Sequence, residues 1–78
     1  MKTMTCRQLG GPCDLEHRNE SADDVIKAQD RHLKAAEKAG DASHHEAHAA
    51  MKGRWLHPKK SMDWYRDTKK AFAELPED

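Results

Sequence analysis

Cys6, Cys13 and His32 are the side chains of this 78-residue sequence best suited to act together as chemistry. Thiolate sulfur and neutral imidazole nitrogen form a donor set that suits zinc or a similar transition metal. Six residues separate the two cysteines, whereas structural zinc sites commonly separate theirs by two to four, so spacing alone leaves other readings open. The pair could be small, semi-buried hydrophobes. It could also be a reversible thiol redox switch, with Arg7 stabilising a thiolate. His32 alone reads equally as a partly buried histidine bonded to backbone or water.

Bringing the two cysteines together requires a chain reversal between them. Lys2 to Cys6 carries two β-branched threonines, and Cys13 to Arg18 alternates enough for a second short strand. Leu9-Gly10-Gly11-Pro12 lies between, where glycines permit positive φ and proline presets its own. Residues 2–19 therefore read as a β-hairpin, one too small to be stable unless it packs on helices or is fixed by a metal.

The next segment, residues 21–39, carries a helix-start signal in Ser21-Ala22-Asp23-Asp24 and a stop in Gly40. Val25, Gln29, His32, Leu33 and Ala36 fall on one face, which puts His32 near the core. A second helix is expected over 43–56, capped by Asp41 or Ser43, with Ser43 and Glu46 in capping-box spacing. Its stripe is His44, Ala47, His48, Met51 and Trp55. Folded back across the short Gly40-Asp41 connection, that stripe offers His44 first, and His48 second, as a fourth metal ligand. His17, His45 and His57 receive no ligand role.

His57-Pro58 ends the second helix, and a third is expected over 61–75. Trp64, Tyr65, Thr68, Ala71, Phe72 and Leu75 make its apolar side. With so few large side chains available, Trp55, Trp64, Tyr65 and Phe72 are assigned to the shared core, and Pro76-Glu77-Asp78 to a frayed tail. The fold class is thus α+β, a two-stranded hairpin packed on three helices (ββααα) in one domain spanning 1–78.

The run Met4-Thr5-Cys6-Arg7-Gln8-Leu9-Gly10-Gly11-Pro12-Cys13-Asp14-Leu15, with Ser21-Ala22-Asp23-Asp24-Val25-Ile26 and His32, resembles an uncharacterised family of predicted small metal-binding proteins from bacteria and archaea. The resemblance covers roughly residues 1–33 and implies Cys6, Cys13 and His32 as metal ligands. Members of that family often carry another histidine soon after the one matched by His32. Here Leu33-Lys34-Ala35-Ala36-Glu37 follows instead, which leaves the fourth position to His44 or His48.

Composition limits what such a site could serve. Charged residues make up 36% of the chain, against roughly 25% in average domains, and apolar residues another 36%, so the core must be thin. Basic and acidic residues balance at fourteen each, and they balance again within each half. That opposes a mainly electrostatic grip on nucleic acid or an anionic membrane, with Arg54, Lys59 and Lys60 read as a solvated local patch. The opening residues lack the apolar core of a signal peptide, and no stretch reaches membrane-spanning length, so a cytoplasmic location is expected. Reduced thiols there favour metal or redox chemistry over a permanent disulfide.

The leading expectation is a small metal-binding domain with structural zinc, acting as an interaction or regulatory module on a protein partner or as a homodimer. A thiol redox switch or small metalloenzyme using Cys6 and Cys13 is the first alternative, and metal storage or sensing the second. Enzymatic chemistry is disfavoured, because no phosphate loop or nucleophile motif is present and His44-His45-Glu46 lacks the metalloprotease order.

Overall fold

A computed structural model describes residues 1–57, 59 and 61–78. Pro58, read as the helix-ending signal, and Lys60 of the basic trio lie outside the described residues. The order is two strands followed by three helices: β1 (Lys2–Thr5), β2 (Glu16–Asn19), α1 (Ala22–Lys38), α2 (Ala42–Leu56) and α3 (Met62–Glu74). The ββααα α+β class expected from the sequence is the observed one.

The strands pair antiparallel, with Met4 opposite His17 and Thr5 opposite Glu16. Directly opposed residues share a face, so Met4 and His17 both turn inward and both are buried. The second strand is shorter than the alternation from Cys13 suggests. Cys13 to Leu15 belongs to the connection, which begins with a single 3₁₀ turn at Arg7–Leu9 and passes through Gly10 at φ +93°. The turn leaves Leu9 fully buried and lets the chain bend towards the helices.

At α1 the serine hydroxyl of Ser21 accepts from the Asp24 amide, and Asp23 and Asp24 occupy the positive end of the helix dipole. At the other end Gly40 takes φ +93°. The Gly40 amide then reaches the Glu37 carbonyl and the Asp41 amide the Ala36 carbonyl, the two bonds of a Schellman stop. This stop delivers Asp41 directly as the cap of α2, where its carboxylate accepts from the amides of Ser43 and His44. Asp41 is thus the cap between the two candidates, and Glu46 is exposed without a capping-box contact. A carboxylate already seated on these amides leaves Ser43 no cap to make.

Among the described residues, Met4, Cys6, Leu9, Val25, Ile26, Leu33, Met51 and Phe72 form the buried apolar core. Ala22, Ala47, Trp64, Tyr65 and Leu75 pack around it. Trp55 departs from expectation: it remains 47% exposed, resting beside Tyr65 instead of entering the core. Met51, one turn earlier, already occupies the inward position on α2, so the wider end of the stripe faces out. Arg54 also leaves the expected solvated patch, its guanidinium stacking 4.0 Å from the Trp64 ring centre.

The C-terminal residues lie against the hairpin where a frayed tail was expected. The Asp78 amide donates to the Met1 carbonyl at 2.7 Å, and the Asp78 carboxylate accepts from Thr3 and Arg18. No helix among the described residues is long and apolar enough to cross a membrane.

Candidate metal centre

Four side chains from four successive pieces of chain converge at one point of this core. Cys6 leaves the end of β1, Cys13 comes from the connection, His32 from the middle of α1 and His44 from the first turn of α2. Their sulfur and ring-nitrogen atoms all lie within 4.8 Å of one another, the one such group among the described residues. Cys13 Sγ and His32 Nε2 are 3.3 Å apart. The edges of a tetrahedral zinc site with bonds of about 2.0–2.3 Å measure about 3.3–3.8 Å, so one ion could be held with small side-chain adjustments.

Local backbone bonds shape the cysteine side of the cluster. The Cys6 amide donates to the Leu15 carbonyl at 2.8 Å, and the Cys6 carbonyl accepts from the amides of Leu9 and Gly11 at 3.1 and 2.8 Å. Gly11 passes so close that a Cβ there would sit 2.2 Å from Cys6 Sγ and 2.8 Å from Gln29 Nε2. Only a residue without a side chain lets the turn close over the sulfur. Both thiols are free, Cys6 completely buried and Cys13 partly so.

The four groups titrate differently. Burial pushes the Cys6 thiol up, although the Gln29 amide and the Cys13 backbone N–H partly offset it. Burial raises Cys13 too, but the Leu15 backbone N–H and His44 outweigh it and bring that thiol below its ordinary value. Cys13 in turn raises His44 against the effect of burial, with Asp41 adding to the rise. His32 falls, through burial first and then through its neighbours His44 and His17. In the metal-free cluster Cys13 is therefore the more readily ionised thiol and His44 the more readily protonated imidazole.

His44 is 6% exposed, and neither ring nitrogen has a well-aligned hydrogen bond within the protein. Asp41 Oδ2 does lie 2.7 Å from Nδ1, close enough for charge attraction but away from the direction of an N–H bond. A buried imidazole nitrogen with only the Cys13 sulfur nearby and no aligned bond to it is costly unless something fills that direction. A cation bound by two thiolates and His32 would do so, and this orphaned nitrogen is the structural observation that best fits a metal.

The second choice for fourth ligand, His48, stands elsewhere. Its Nδ1 contacts a Glu37 carboxylate oxygen on α1, while His45 Nδ1 approaches the other oxygen at 3.2 Å. Arg7 pairs first with Asp14 at 2.8 Å, and the charges of Cys13 and Cys6 add a smaller attraction. His17 is buried, with its Nε2 2.7 Å from Gln29 Oε1. Sequence reasoning placed Gln29 on the core face without giving it a task; an uncharged polar residue midway between Val25 and Leu33 was the available signal. A shallow cleft of about 320 Å³ borders this region, lined by the Gly10-Gly11-Pro12 turn and by Ser43, Glu46 and Ala47.

No family model, curated protein or solved structure matches the chain.

Proposed function

We propose that this protein is a small zinc-binding module in which Cys6, Cys13, His32 and His44 hold one structural ion. The convergence of two sulfurs and two imidazole nitrogens within 4.8 Å carries this reading. Two thiolates would neutralise a divalent ion, and two neutral imidazoles would complete a closed tetrahedron with no position left for substrate. The metal supplies fixed coordination bonds between the hairpin and the helices, in a chain whose apolar core is small. The opening motif's resemblance to predicted small metal-binding proteins supports the same assignment.

A closed site of this kind stabilises a surface for recognition and does no chemistry itself. The module accordingly acts as an interaction or regulatory domain in the reducing cytoplasm, where its thiols remain available for metal. A cobalt(II) titration tests the assignment through the absorption of tetrahedral, thiolate-bound cobalt. Saturation at one equivalent, reversed by zinc, is the expected result. Octahedral spectra or no uptake would refute it.

A further inference from the structure

Gln29 is completely buried in the middle of α1, in a core that can spare little room for a polar side chain. A buried primary amide is tolerable only when its oxygen and its N–H groups find partners. Here they do. Nε2 lies 3.1 Å from Cys6 Sγ and 3.4 Å from the Cys6 carbonyl oxygen, and Oε1 lies 2.7 Å from His17 Nε2.

This arrangement fixes the direction of every bond. Thiolate sulfur and carbonyl oxygen are acceptors, so the NH₂ of Gln29 must face Cys6. Its oxygen then faces His17, whose Nε2 must carry the hydrogen. His17 is itself 7% exposed, held opposite Met4 by the strand register, and its ring stands edge-on to His32 at 5.7 Å between centres. The hairpin thereby orients an amide on α1, which in turn orients a sulfur at the end of the hairpin.

We infer that Gln29, held by His17, is a positioning residue that aims and stabilises the Cys6 thiolate for metal. The inference rests on the metal-binding reading above and adds two residues that do not touch the ion. An uncharged donor matches a site whose two thiolates already balance a divalent cation, and Gly11 leaves space for the amide and sulfur to meet. Leucine at position 29 would fill a similar volume with no donor. A structural packing role would be preserved by that substitution, and a positioning role would not.

The test uses the full chain loaded with cobalt(II) and with zinc. Gln29→Leu should weaken metal binding by roughly 10- to 100-fold and shift the sulfur-to-cobalt charge-transfer band, as expected for loss of an outer partner. His17→Leu should produce a smaller change of the same kind, and His17→Gln, which restores an N–H donor, should recover part of it. In the double variant the His17 effect should vanish, because the relay is already broken. Unchanged affinity and an unchanged band in Gln29→Leu would overturn the inference. If that variant does not fold, an unshifted band in His17→Leu overturns it equally. Wild-type protein that takes up no metal would overturn the underlying reading, an outcome visible before any variant is made.

Discussion

Asp41 closes the end of α1 through its backbone amide, and its carboxylate joins the start of α2 to the candidate metal ligand His44. One oxygen accepts from the amides of Ser43 and His44, and the other lies 2.7 Å from His44 Nδ1. One residue thus both caps α2 and places a negative charge beside its candidate ligand. Metal-bound histidines commonly have a carboxylate near the ring nitrogen that is not coordinated, and Asp41 stands close to His44 Nδ1 though out of line with its N–H.

Separating the two roles requires a residue that caps without reaching the imidazole. Asp41→Ser should retain most of the helix content and lower zinc affinity by roughly 10-fold or more. Asp41→Ala should impair both. Circular dichroism beside a chelator competition assay distinguishes them; equal zinc affinity in all three proteins would show that Asp41 does not assist His44.

The same carboxylate predicts an acid response of the metal-free protein. The Ser43 hydroxyl and the His44 backbone amide hold Asp41 down to about 2, below its ordinary value near 3.8. A depressed carboxyl contributes stability above its unfolded pKa, and that contribution is lost as pH falls towards 2. Wild-type denaturation midpoints should decline over this window more steeply than those of Asp41→Asn. Parallel curves would contradict the assignment.

The elements were legible in the sequence because their punctuation is local. Ser21, Gly40 and Asp41 mark helix ends through bonds to residues within a few positions, and those bonds form, whereas the Ser43–Glu46 capping box does not. Cys6, Cys13, His32 and His44 could be gathered from periodicity and from one family-like motif. What sequence did not disclose depends on competition between distant residues. Met51 takes the inward place that would have covered Trp55, and the Thr3 hydroxyl and Arg18 guanidinium capture the Asp78 carboxylate. Gln29's task was invisible because it arises only when the Gly11 turn and His17 close around it.

Two glycines should respond oppositely to alanine. At Gly11 the new methyl meets Cys6 Sγ at 2.2 Å and the Cys6 carbonyl at 3.1 Å, so Gly11→Ala should destabilise by about 1–3 kcal/mol and impair metal binding. Gly53, inside α2, has nothing within 4 Å of its would-be Cβ. Gly53→Ala should stabilise by about 0.5–1 kcal/mol. Urea midpoints of the two variants, compared with wild type, give the signs directly.

The aromatic residues provide another contrast. Phe72 is 6% exposed and belongs to the core, so Phe72→Ala should cost about 3–5 kcal/mol. Trp55→Ala should have a much smaller effect, since nearly half of that side chain already faces solvent. Comparable losses in thermal unfolding would return Trp55 to a core role.

Metal removal should be felt throughout the fold. Free zinc at a thousandfold excess over its Kd stabilises a protein by about 4 kcal/mol, which for a domain of this size raises Tm by on the order of 20 °C. Uptake at neutral pH should also release protons, because burial keeps Cys6 protonated in the metal-free cluster. Calorimetry in two buffers of different ionisation heat measures that release, and identical apparent heats would contradict it.

Native mass spectrometry of protein purified with reductant and without chelator counts the bound metal directly. One zinc ion per chain is the expected result, lost from Cys6→Ser, Cys13→Ser, His32→Ala and His44→Ala and retained by His48→Ala. Wild-type protein that stays metal-free after zinc is supplied, or four ligand variants that bind zinc as well as wild type, would contradict it.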